Sequence, residues 1–277
     1  GRRRLVTAGN AELADLALRV ARRAAELVRE RRTGEVTVAD TKSSDVDIVT
    51  EADRASEALI RDLLLTERPD DGVLGEEGDD VPSRSGVRWV VDPIDGTVNF
   101  LYGLPQYAVS IAAERDGEVV AGVVLSVAQE VEYVAHRADV HGPAVATRDG
   151  VPLAVREPTP LSLRLVSTGF NYDAGIRALQ AGALARLITE VRDVRRFGSC
   201  ALDLCHVAEG AVDGYFEEGV NLWDHAAGGL VAQVAGARLE VLDGVGGTDL
   251  VVCAPTHGFD ELAAAVRRAG FTREVGE

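Results

Sequence analysis

The chain has 277 residues, of which 46% are hydrophobic and 27% are charged, so it can form one large or two ordinary globular domains with a substantial core. Its formal net charge of −16 excludes nucleic acid or an anionic membrane as the main partner, because both would repel it at long range. We therefore expect no direct nucleic-acid binding and no membrane association, and the apolar runs are too short to span a bilayer.

The N-terminal part of the chain predicts two amphipathic helices. Asn10 can cap a helix over 11–31, where apolar residues recur at helical spacing. The polar segment 33–44 predicts a loop that could contain a short hairpin. Residues 50–53 (Thr-Glu-Ala-Asp) then fit a capping box, which opens a second helix to about Thr66. The buried side of this helix is predicted to consist of Leu59, Leu63 and Leu64.

From residue 73 onward the pattern changes to strands. Short strands over 73–75 and 87–91 each lead into an acidic motif. An antiparallel meander follows, with a turn at Asp116-Gly117 and a turn-rich hairpin over 141–155. The strands of the meander are predicted at 107–114, 118–125 and 130–135.

Beyond the prolines near residue 160, helices and strands alternate. The predicted strands are 163–167, 214–216, 238–241 and 250–253, and the predicted helices are 174–189, 200–209, 224–236 and 259–269. This change of pattern divides the chain into an N-terminal α+β half, 1–157, and a C-terminal α/β half, 158–277. The chain contains three cysteines, no CxxC pair and apolar residues around each thiol, which predicts reduced core residues of a cytoplasmic protein.

Acidic residues at three distant places in the chain predict a divalent-cation site. Glu76 with Glu77, Asp92 with Asp95, and Asp224 each stand at a strand end or a helix start. Carboxylates held close together repel unless a cation or a proton lies between them. Mg²⁺ prefers oxygen ligands and is commonly shared with a substrate phosphate. Two such ions could hold the attacking and the leaving oxygen of a phosphoryl transfer.

The residues next to these acids are suited to phosphate chemistry. Gly96 allows backbone N–H groups to point outward at a helix start, which favours an anion. The hydroxyl of Thr97 could relay a proton toward Asp53. Lys42 is the only lysine among many arginines, either by chance or because a compact ammonium is needed where the planar guanidinium would not fit.

Each acidic motif also has an interpretation without chemistry. Asp53 could only close its capping box, and Asp224 could only cap the helix that it opens. Glu76 and Glu77 could belong to a solvated acidic loop. Asp92 could lie in an ordinary turn, but a second acid followed by Gly-Thr at this spacing favours a site. Together, the motifs favour the functional interpretation.

Three motifs resemble, in order and separation, the signatures of the inositol monophosphatase family, and in particular of its bacterial inositol-1-monophosphatases. They are 75–77 (Gly-Glu-Glu), 92–100 (Asp-Pro-Ile-Asp-Gly-Thr-Val-Asn-Phe) and 223–228 (Trp-Asp-His-Ala-Ala-Gly). The family belongs to the lithium-sensitive, magnesium-dependent phosphatases, which include fructose-1,6-bisphosphatase. The resemblance covers nearly the whole chain. It implies a layered αβαβα sandwich, usually a homodimer, in which the two halves form one compact catalytic unit.

The resemblance also implies ligands for two to three Mg²⁺ ions. Glu76, Asp92 and the carbonyl of Ile94 would hold the first ion. Asp92, Asp95 and Asp224 would hold the second, and a weaker third ion would lie near Glu76. Glu76 would in this way belong to the catalytic machinery as well as to the metal site.

On the same basis, Thr97 and Asp53 would activate the nucleophilic water, and Lys42 lies on a segment that resembles the family's mobile loop. Glu217 matches a position that accepts hydrogen bonds from inositol hydroxyls. Cys200 stands where a small alanine is common, which could narrow the pocket. The residues implied to contact the substrate are Asp95, Gly96, Thr97, Cys200, Glu217 and Asp224.

The sequence therefore predicts a cytoplasmic, homodimeric, Mg²⁺-dependent phosphomonoesterase acting on myo-inositol 1-phosphate. Alternative substrates on the same fold are fructose-1,6-bisphosphate, histidinol phosphate and 3′-phosphoadenosine 5′-phosphate. An alternative of another class is a regulatory protein, because some bacterial members of the family also bind transcription machinery. The basic cluster Arg192, Arg195 and Arg196 could face such a partner, or it could be a solvated or dimer-lining stretch.

Overall fold

The computed structural model describes residues 8–33, 36–42 and 48–273, and the elements below lie within these ranges. The α-helices are α1 (Asn10–Arg32), α2 (Glu51–Glu67), α3 (Thr97–Tyr102), α4 (Ala174–Leu187), α5 (Cys200–Ala208), α6 (Leu222–Val234) and α7 (Phe259–Ala269). The strands are β1 (Val38–Thr41), β2 (Ile48–Thr50), β3 (Gly72–Gly75), β4 (Val87–Asp95), β5 (Ala108–Arg115), β6 (Glu118–Ser126), β7 (Val131–His136), β8 (Val145–Arg148), β9 (Val151–Pro152), β10 (Leu165–Thr168), β11 (Asp193–Arg195), β12 (Gly214–Glu218), β13 (Ala237–Asp243) and β14 (Asp249–Pro255).

The strands form two large sheets and one hairpin. The seven-stranded sheet has the order β3-β4-β5-β6-β7-β8-β9; β3 and β4 are parallel and the other pairs are antiparallel. The five-stranded sheet has the order β11-β10-β12-β14-β13, with parallel pairing around β10 and antiparallel pairing around β14. The hairpin pairs β1 with β2.

Helices cover both sheets in alternating layers. α1 and α2 pack on one face of the seven-stranded sheet, α5 and α6 lie between the two sheets, and α4 and α7 cover the far face of the five-stranded sheet. Three apolar clusters fill the spaces between these layers. The predicted αβαβα sandwich is therefore confirmed. Among the described residues, none of the helices combines the length and apolar character that a membrane span requires.

The predicted tight turns have the expected backbone. Asp116 and Gly117 both adopt positive φ angles, 53° and 80°, between β5 and β6. Asp149 and Gly150 do the same, with φ angles of 50° and 79°, between β8 and β9. Two successive residues with positive φ match the right-handed twist of the flanking strands, which is why Asp-Gly is favoured here.

The prediction that Asn10 caps the first helix was wrong. The helix begins at Asn10 itself, and Gly9 occupies the cap position. The Asn10 side chain is buried, donates to the carbonyl of Arg137 at 3.2 Å and accepts from Arg115 at 3.0 Å. Its polar side chain therefore ties α1 to the end of β5 and to the residue after β7.

The predicted buried side of α2 was wrong in part. Leu64 is fully buried, but Leu59 and Leu63 are only partly buried. The face that packs on the sheet is instead made largely of shorter and polar residues. These are Ala52, Asp53, Ser56, Glu57, Ile60 and Leu64.

Two further strand predictions needed correction in the second half. The strand expected from 163 begins only at β10, because Leu161–Leu163 form a 3₁₀ turn after Pro160. The short edge strand β11 was missed, since its three residues carry no apolar alternation. The three cysteines are buried and unpaired, as expected.

Candidate active site

A cleft with a volume of about 630 Å³ collects residues from both sheets and from helices α3, α4, α5 and α6. It is lined by every predicted site residue except Asp53, which is completely buried. The predicted residues in its walls are Lys42, Glu76, Asp92, Ile94, Asp95, Gly96, Thr97, Cys200, Glu217 and Asp224. The remainder of the Lys42 loop, 43–47, lies outside the described residues.

Asp92 and Asp95 are delivered to the cleft by an irregularity at the end of β4. In the pairing with β5, Asp92 lies opposite Ser110 and Asp95 lies opposite Ala108, so β4 contains one extra residue here. Such a bulge redirects side chains at a strand end. The sequence suggested a turn after residue 91, whereas the strand continues through Asp95.

Asp224 reaches the same place from the first turn of α6. The helix begins at Leu222 with Asn221 as its N-cap, and Asp224 is the acid of the capping box, since one of its oxygens accepts the N–H of Asn221 at 2.5 Å. One carboxylate oxygen from each of Asp92, Asp95 and Asp224 lies within 4.8 Å of the others. Capping and membership of this aspartate triad are therefore compatible.

The aspartate triad is strongly destabilised as a set of negative charges. Burial, followed by repulsion from Glu76 and the other triad members, raises the pKa of Asp92 well above its ordinary value. Burial and the same repulsion raise the pKa of Asp224. Burial also raises the pKa of Asp95 to about 7, although Ser199 and the N–H of Ala201 donate hydrogen bonds to it. No lysine or arginine among the described residues forms an ion pair with the triad.

This donor set fits a hard divalent cation. All three side chains offer oxygen, which Mg²⁺ and Ca²⁺ prefer over nitrogen or sulfur. Asp92 and Asp95 are buried, Asp224 is partly buried, and the three carboxylates repel one another, so an added positive charge would relieve an energetic cost that the described side chains leave uncompensated. The ligand set expected for a second ion is thus brought together by the fold.

Glu76 lies next to this triad but has a counter-charge of its own. The Lys42 ammonium contacts Glu76 and Glu77 at 2.6 Å each. Burial disfavours the charged form of Lys42, but the attraction of the Glu76 and Glu77 carboxylates is larger, and the pKa of Lys42 is raised. Burial raises the pKa of Glu77, although Lys42 opposes this shift. The only lysine of the chain therefore lies at the edge of the acidic cleft.

Asp53 and Thr97 are in direct contact. The Thr97 hydroxyl lies 2.8 Å from Asp53 Oδ1 and 3.0 Å from the carbonyl of Ile94. Its single proton can go to only one of them at a time. The other oxygen of Asp53 accepts from the backbone N–H of Thr50 at 2.7 Å, so the capping box exists as well. Burial raises the pKa of Asp53 despite these hydrogen bonds.

Gly96 forms the turn between β4 and α3. Its φ of 94° is in the left-handed region, and a Cβ would lie 2.7 Å from the carbonyl of Gln106. Only glycine fits these two conditions. Asn99 then donates to the carbonyls of Gln106 at 2.9 Å and Phe197 at 2.8 Å, which joins this turn to the start of α5.

The cleft is also lined by Glu217 on β12. The Tyr215 hydroxyl donates to Glu217 at 2.7 Å. Burial raises the pKa of Glu217, whereas the nearby Arg196 guanidinium opposes the shift. Cys200, the first residue of α5, is buried beside them, and burial raises its thiol pKa well above the ordinary value. Cys200 is thus a neutral wall of the cleft.

Glu57, which binds the loop that carries Glu76, was missed by sequence reasoning. The turn that contains Ser199 was expected to belong to the substrate pocket, but the hydrogen bond from Ser199 to Asp95 was not predicted. A signal for Glu57 existed, because it follows Asp53 by one helical turn and so shares its buried face. Of the predicted basic cluster, Arg196 lines the cleft, whereas Arg195 pairs with Asp193 at 2.6 Å.

The layered sandwich with a buried carboxylate triad at the end of a bulged strand defines a class, the metal-dependent phosphatases. The family model described as "Inositol monophosphatase family" matches residues 10–270. The chain therefore belongs to the inositol monophosphatase family, and the predicted family and phosphatase activity are confirmed.

Individual relatives agree with this assignment. An inositol-1-monophosphatase of Mycobacterium bovis is 45% identical over 280 residues, covering 93% of this chain and 94% of the relative. The solved structure of Mycobacterium tuberculosis SuhB has a TM-score of 0.79 and 42% identity, and the match covers 95% of this chain and 99% of that one. A protein of Pasteurella multocida named Nus factor SuhB is 37% identical, with coverage of 80% and 82%.

Proposed function

We propose that the protein is a Mg²⁺-dependent phosphatase that releases phosphate from myo-inositol 1-phosphate or a similar polyol monophosphate. The observation that carries this proposal is the aspartate triad in one cleft with Glu217. The aspartate triad offers ligands for the cations that would bind the phosphate, and the Glu217 carboxylate offers an acceptor for the hydroxyl groups of the polyol. The relatives named inositol-1-monophosphatase support the same substrate.

Within this proposal, two to three Mg²⁺ ions bind between the acidic side chains. The first would be held by Glu76, Asp92 and the carbonyl of Ile94, and the second by Asp92, Asp95 and Asp224. A third, weaker ion would lie near Glu76, which the Lys42 ammonium contacts in this structure. Bound Mg²⁺ supplies positive charge for the phosphate and lowers the pKa of water.

The chain's own groups then orient the phosphate and move the proton. Gly96 and Thr97 line the cleft, and their backbone N–H groups would donate to phosphate oxygens. The Thr97 hydroxyl accepts a proton from the attacking water while it passes its own to Asp53, which lies 2.8 Å away. Because burial raises the pKa of Asp53, this carboxylate is a better proton acceptor than an exposed one.

Two arginines at the same cleft favour the alternative substrates that carry more charge. Arg177 and Arg196 line its walls, and within the described residues no ion pair neutralises either guanidinium. A second phosphate, as in fructose-1,6-bisphosphate or 3′-phosphoadenosine 5′-phosphate, could bind them. Histidinol phosphate carries an ammonium instead, which Glu217 would attract.

A panel of phosphate-release assays tests the proposal. The four substrates are myo-inositol 1-phosphate, fructose-1,6-bisphosphate, histidinol phosphate and 3′-phosphoadenosine 5′-phosphate, each with Mg²⁺ and again with added Li⁺. We expect the highest kcat/KM for the inositol ester, a requirement for Mg²⁺ and inhibition by Li⁺. Phosphate release that persists in EDTA would contradict the metal role, and a preference for another ester would correct the substrate.

A regulatory role remains the second candidate, because a relative at 37% identity is named a Nus factor. The variant Asp95→Asn separates the two functions, since it removes a triad charge without changing the surface. Lost phosphate release with unchanged capture of transcription proteins would show an independent binding role. If phosphate release is lost in the variant and the wild type captures no transcription proteins, catalysis is the only one of the two functions that is supported.

We also propose that the enzyme is a cytoplasmic homodimer and that its halves, 1–157 and 158–277, act as one catalytic unit. The middle helical layer supports the last point, because α5 and α6 contact strands of both sheets. Light scattering coupled to size exclusion tests the dimer; a monomer mass at assay concentration would contradict it.

A further inference from the structure

A buried carboxylate outside the proposed catalytic machinery holds the loop that carries Glu76. Glu57 lies on α2 and is only 2% exposed. Its Oε2 accepts the backbone N–H of Glu77 at 2.7 Å, and its Oε1 accepts the N–H of Gly78 at 2.8 Å. Successive backbone N–H groups that converge on one anion form a nest, and here the anion is a side chain of the protein itself.

The loop fits closely around this carboxylate. A Cβ on Gly75 would lie 2.3 Å from Glu57 Oε1, and a Cβ on Gly78 would lie 2.9 Å from the same atom. A side chain at Gly75 could not be accommodated without moving the carboxylate or the backbone. The two glycines that flank Glu76 and Glu77 therefore leave the space that Glu57 occupies.

Arg61 neutralises Glu57 and ties down the far side of the loop. Its Nε lies 2.7 Å from Glu57 Oε1, one helical turn away on α2. Its Nη1 donates to the carbonyl of Asp79 at 2.8 Å. A buried carboxylate is tolerated when it is paired and hydrogen-bonded in this way. The loop is thus attached to α2 at three backbone groups, those of Glu77, Gly78 and Asp79.

The same helix also carries Asp53, one turn before Glu57. α2 is a straight run of regular structure, so it fixes the place of Asp53 and of the Glu76 loop relative to each other. Glu76 in turn lies close enough to Asp92 to be the strongest charge acting on its pKa.

We propose that Glu57 is a positioning residue that fixes the 75–78 loop and thereby sets the affinity for the divalent ion that Glu76 holds. This inference rests on the proposed metal role of Glu76. Glu57 itself touches neither substrate nor ion; it acts through the backbone of Glu77 and Gly78. Partners of this kind typically change metal affinity 10–100-fold when they are mutated.

The test is calorimetric titration of the full-length protein with Mn²⁺. Glu57→Gln keeps the size of the side chain but turns an amide N–H toward a backbone N–H, which breaks one of the two hydrogen bonds. We expect the Kd for Mn²⁺ to rise about 10-fold or more. The secondary structure by circular dichroism should stay that of the wild type.

Asp71→Asn is the matched control. Asp71 is also 2% exposed and also pairs with an arginine from the end of α2, Arg68. It binds Ser85 and Trp89 instead of the 75–78 loop. We expect it to lower stability and leave the Kd for Mn²⁺ unchanged.

An unchanged Kd in folded Glu57→Gln, or an equal rise in Asp71→Asn, overturns the inference. If Glu57→Gln does not fold, Arg61→Gln replaces it, with a smaller rise expected and an unchanged Kd counting against the proposal. Wild-type protein that binds no Mn²⁺ overturns the proposed metal site, whereas tight binding by both wild type and Glu57→Gln overturns only the role of Glu57.

Discussion

Buried carboxylates lie beside both ends of β4, and the two ends compensate their charge differently. Near its start, the Trp89 indole donates to Asp71 at 2.9 Å, and Arg68 forms an ion pair with the same carboxylate. At its other end, Asp92 and Asp95 face Asp224, with no arginine or lysine paired to them in the described part of the chain. At the start of β4, the protein's own side chains compensate the negative charge. At its other end, the negative charge is suited to compensation by a bound cation.

This difference distinguishes buried carboxylates that stabilise the fold through an ion pair from buried carboxylates that are available to bind a cation. Glu57 follows the first pattern, since it is paired with Arg61 and accepts backbone N–H groups. In the aspartate triad, repulsion among neighbouring carboxylates adds to burial and raises the pKa values. Such clusters cost folding free energy and concentrate at functional sites. The following predictions test whether the two patterns behave differently.

The largest effect is expected on turnover. Asp92→Asn and Asp224→Asn should each lower kcat by about 10³-fold or more, on the order of 4 kcal/mol, because each removes a charge that compensates the divalent ion. Phosphate release at saturating Mg²⁺ measures this loss. Asp71→Asn should retain wild-type kcat per folded molecule, and near-normal turnover in either triad variant would contradict the distinction between the two ends.

The next largest effect is the increase in the free energy of unfolding when Mg²⁺ is added. Mg²⁺ at 100 times its Kd should raise the free energy of unfolding by about 2.7 kcal/mol, since it binds only the folded state. Urea unfolding with and without Mg²⁺ measures the gain. In Asp92→Asn, which removes a ligand proposed for both ions, most of the gain should disappear; the same gain in this variant would place the ions elsewhere.

At the start of β4, where Asp71 is paired with Arg68, a substitution should change the free energy of unfolding but not turnover. Asp71→Asn should lower the free energy of unfolding by about 2 kcal/mol, because Arg68 and the Trp89 indole lose a charged acceptor. The loss is moderate since 25% of the Arg68 side chain is exposed to water. Urea unfolding in EDTA measures it, and a stability equal to wild type would mean that the pair contributes nothing.

A smaller effect is expected at Glu217, which lines the same cleft. Glu217→Ala should reduce the preference for myo-inositol 1-phosphate over a phosphate ester without neighbouring hydroxyls by about 10-fold. This factor corresponds roughly to the free energy of one hydrogen bond to a charged group. The ratio of kcat/KM values for the two esters measures this. Equal losses on both esters would show that Glu217 acts on the chemistry or the fold instead.

The smallest effect concerns a carboxyl that belongs to neither pattern. Asp203 is fully buried in α5, and neither of its oxygens has a hydrogen-bond partner within the described residues. Burial raises its pKa well above the ordinary value, a shift that the neighbouring Ser167 opposes only in part. The folded state therefore holds this proton more tightly than the unfolded state does, and the resulting stability is lost as pH rises through the folded pKa.

Asp203→Asn should consequently match the wild type at low pH and become more stable by on the order of 1 kcal/mol as the pH rises. Urea unfolding in EDTA at several pH values measures the difference between the two proteins. A difference that does not grow with pH would show that the carboxyl is ionised without cost.

Local features of the chain could be predicted from the sequence because they depend on neighbours along the chain. The Asp116-Gly117 turn follows from backbone sterics, and the buried face of α1 follows from helical periodicity. The motif around Asp92 and Asp95 indicated a phosphatase because its acids, glycine and threonine are adjacent in sequence.

The distribution of charge compensation was decided only by the tertiary structure. The capping-box pattern predicted the helix start at Thr50, whereas the contact of Asp53 with Thr97 was predicted from the chemistry of the site and the family resemblance and not from a local pattern. Glu57 and its partner Arg61 are four residues apart on α2, so this ion pair is local, whereas Asp92 meets Asp224 from a distant segment. Whether a carboxylate becomes buried, and whether it then meets acids from other segments, depends on how distant parts of the chain pack, and periodicity carries no information about those distances.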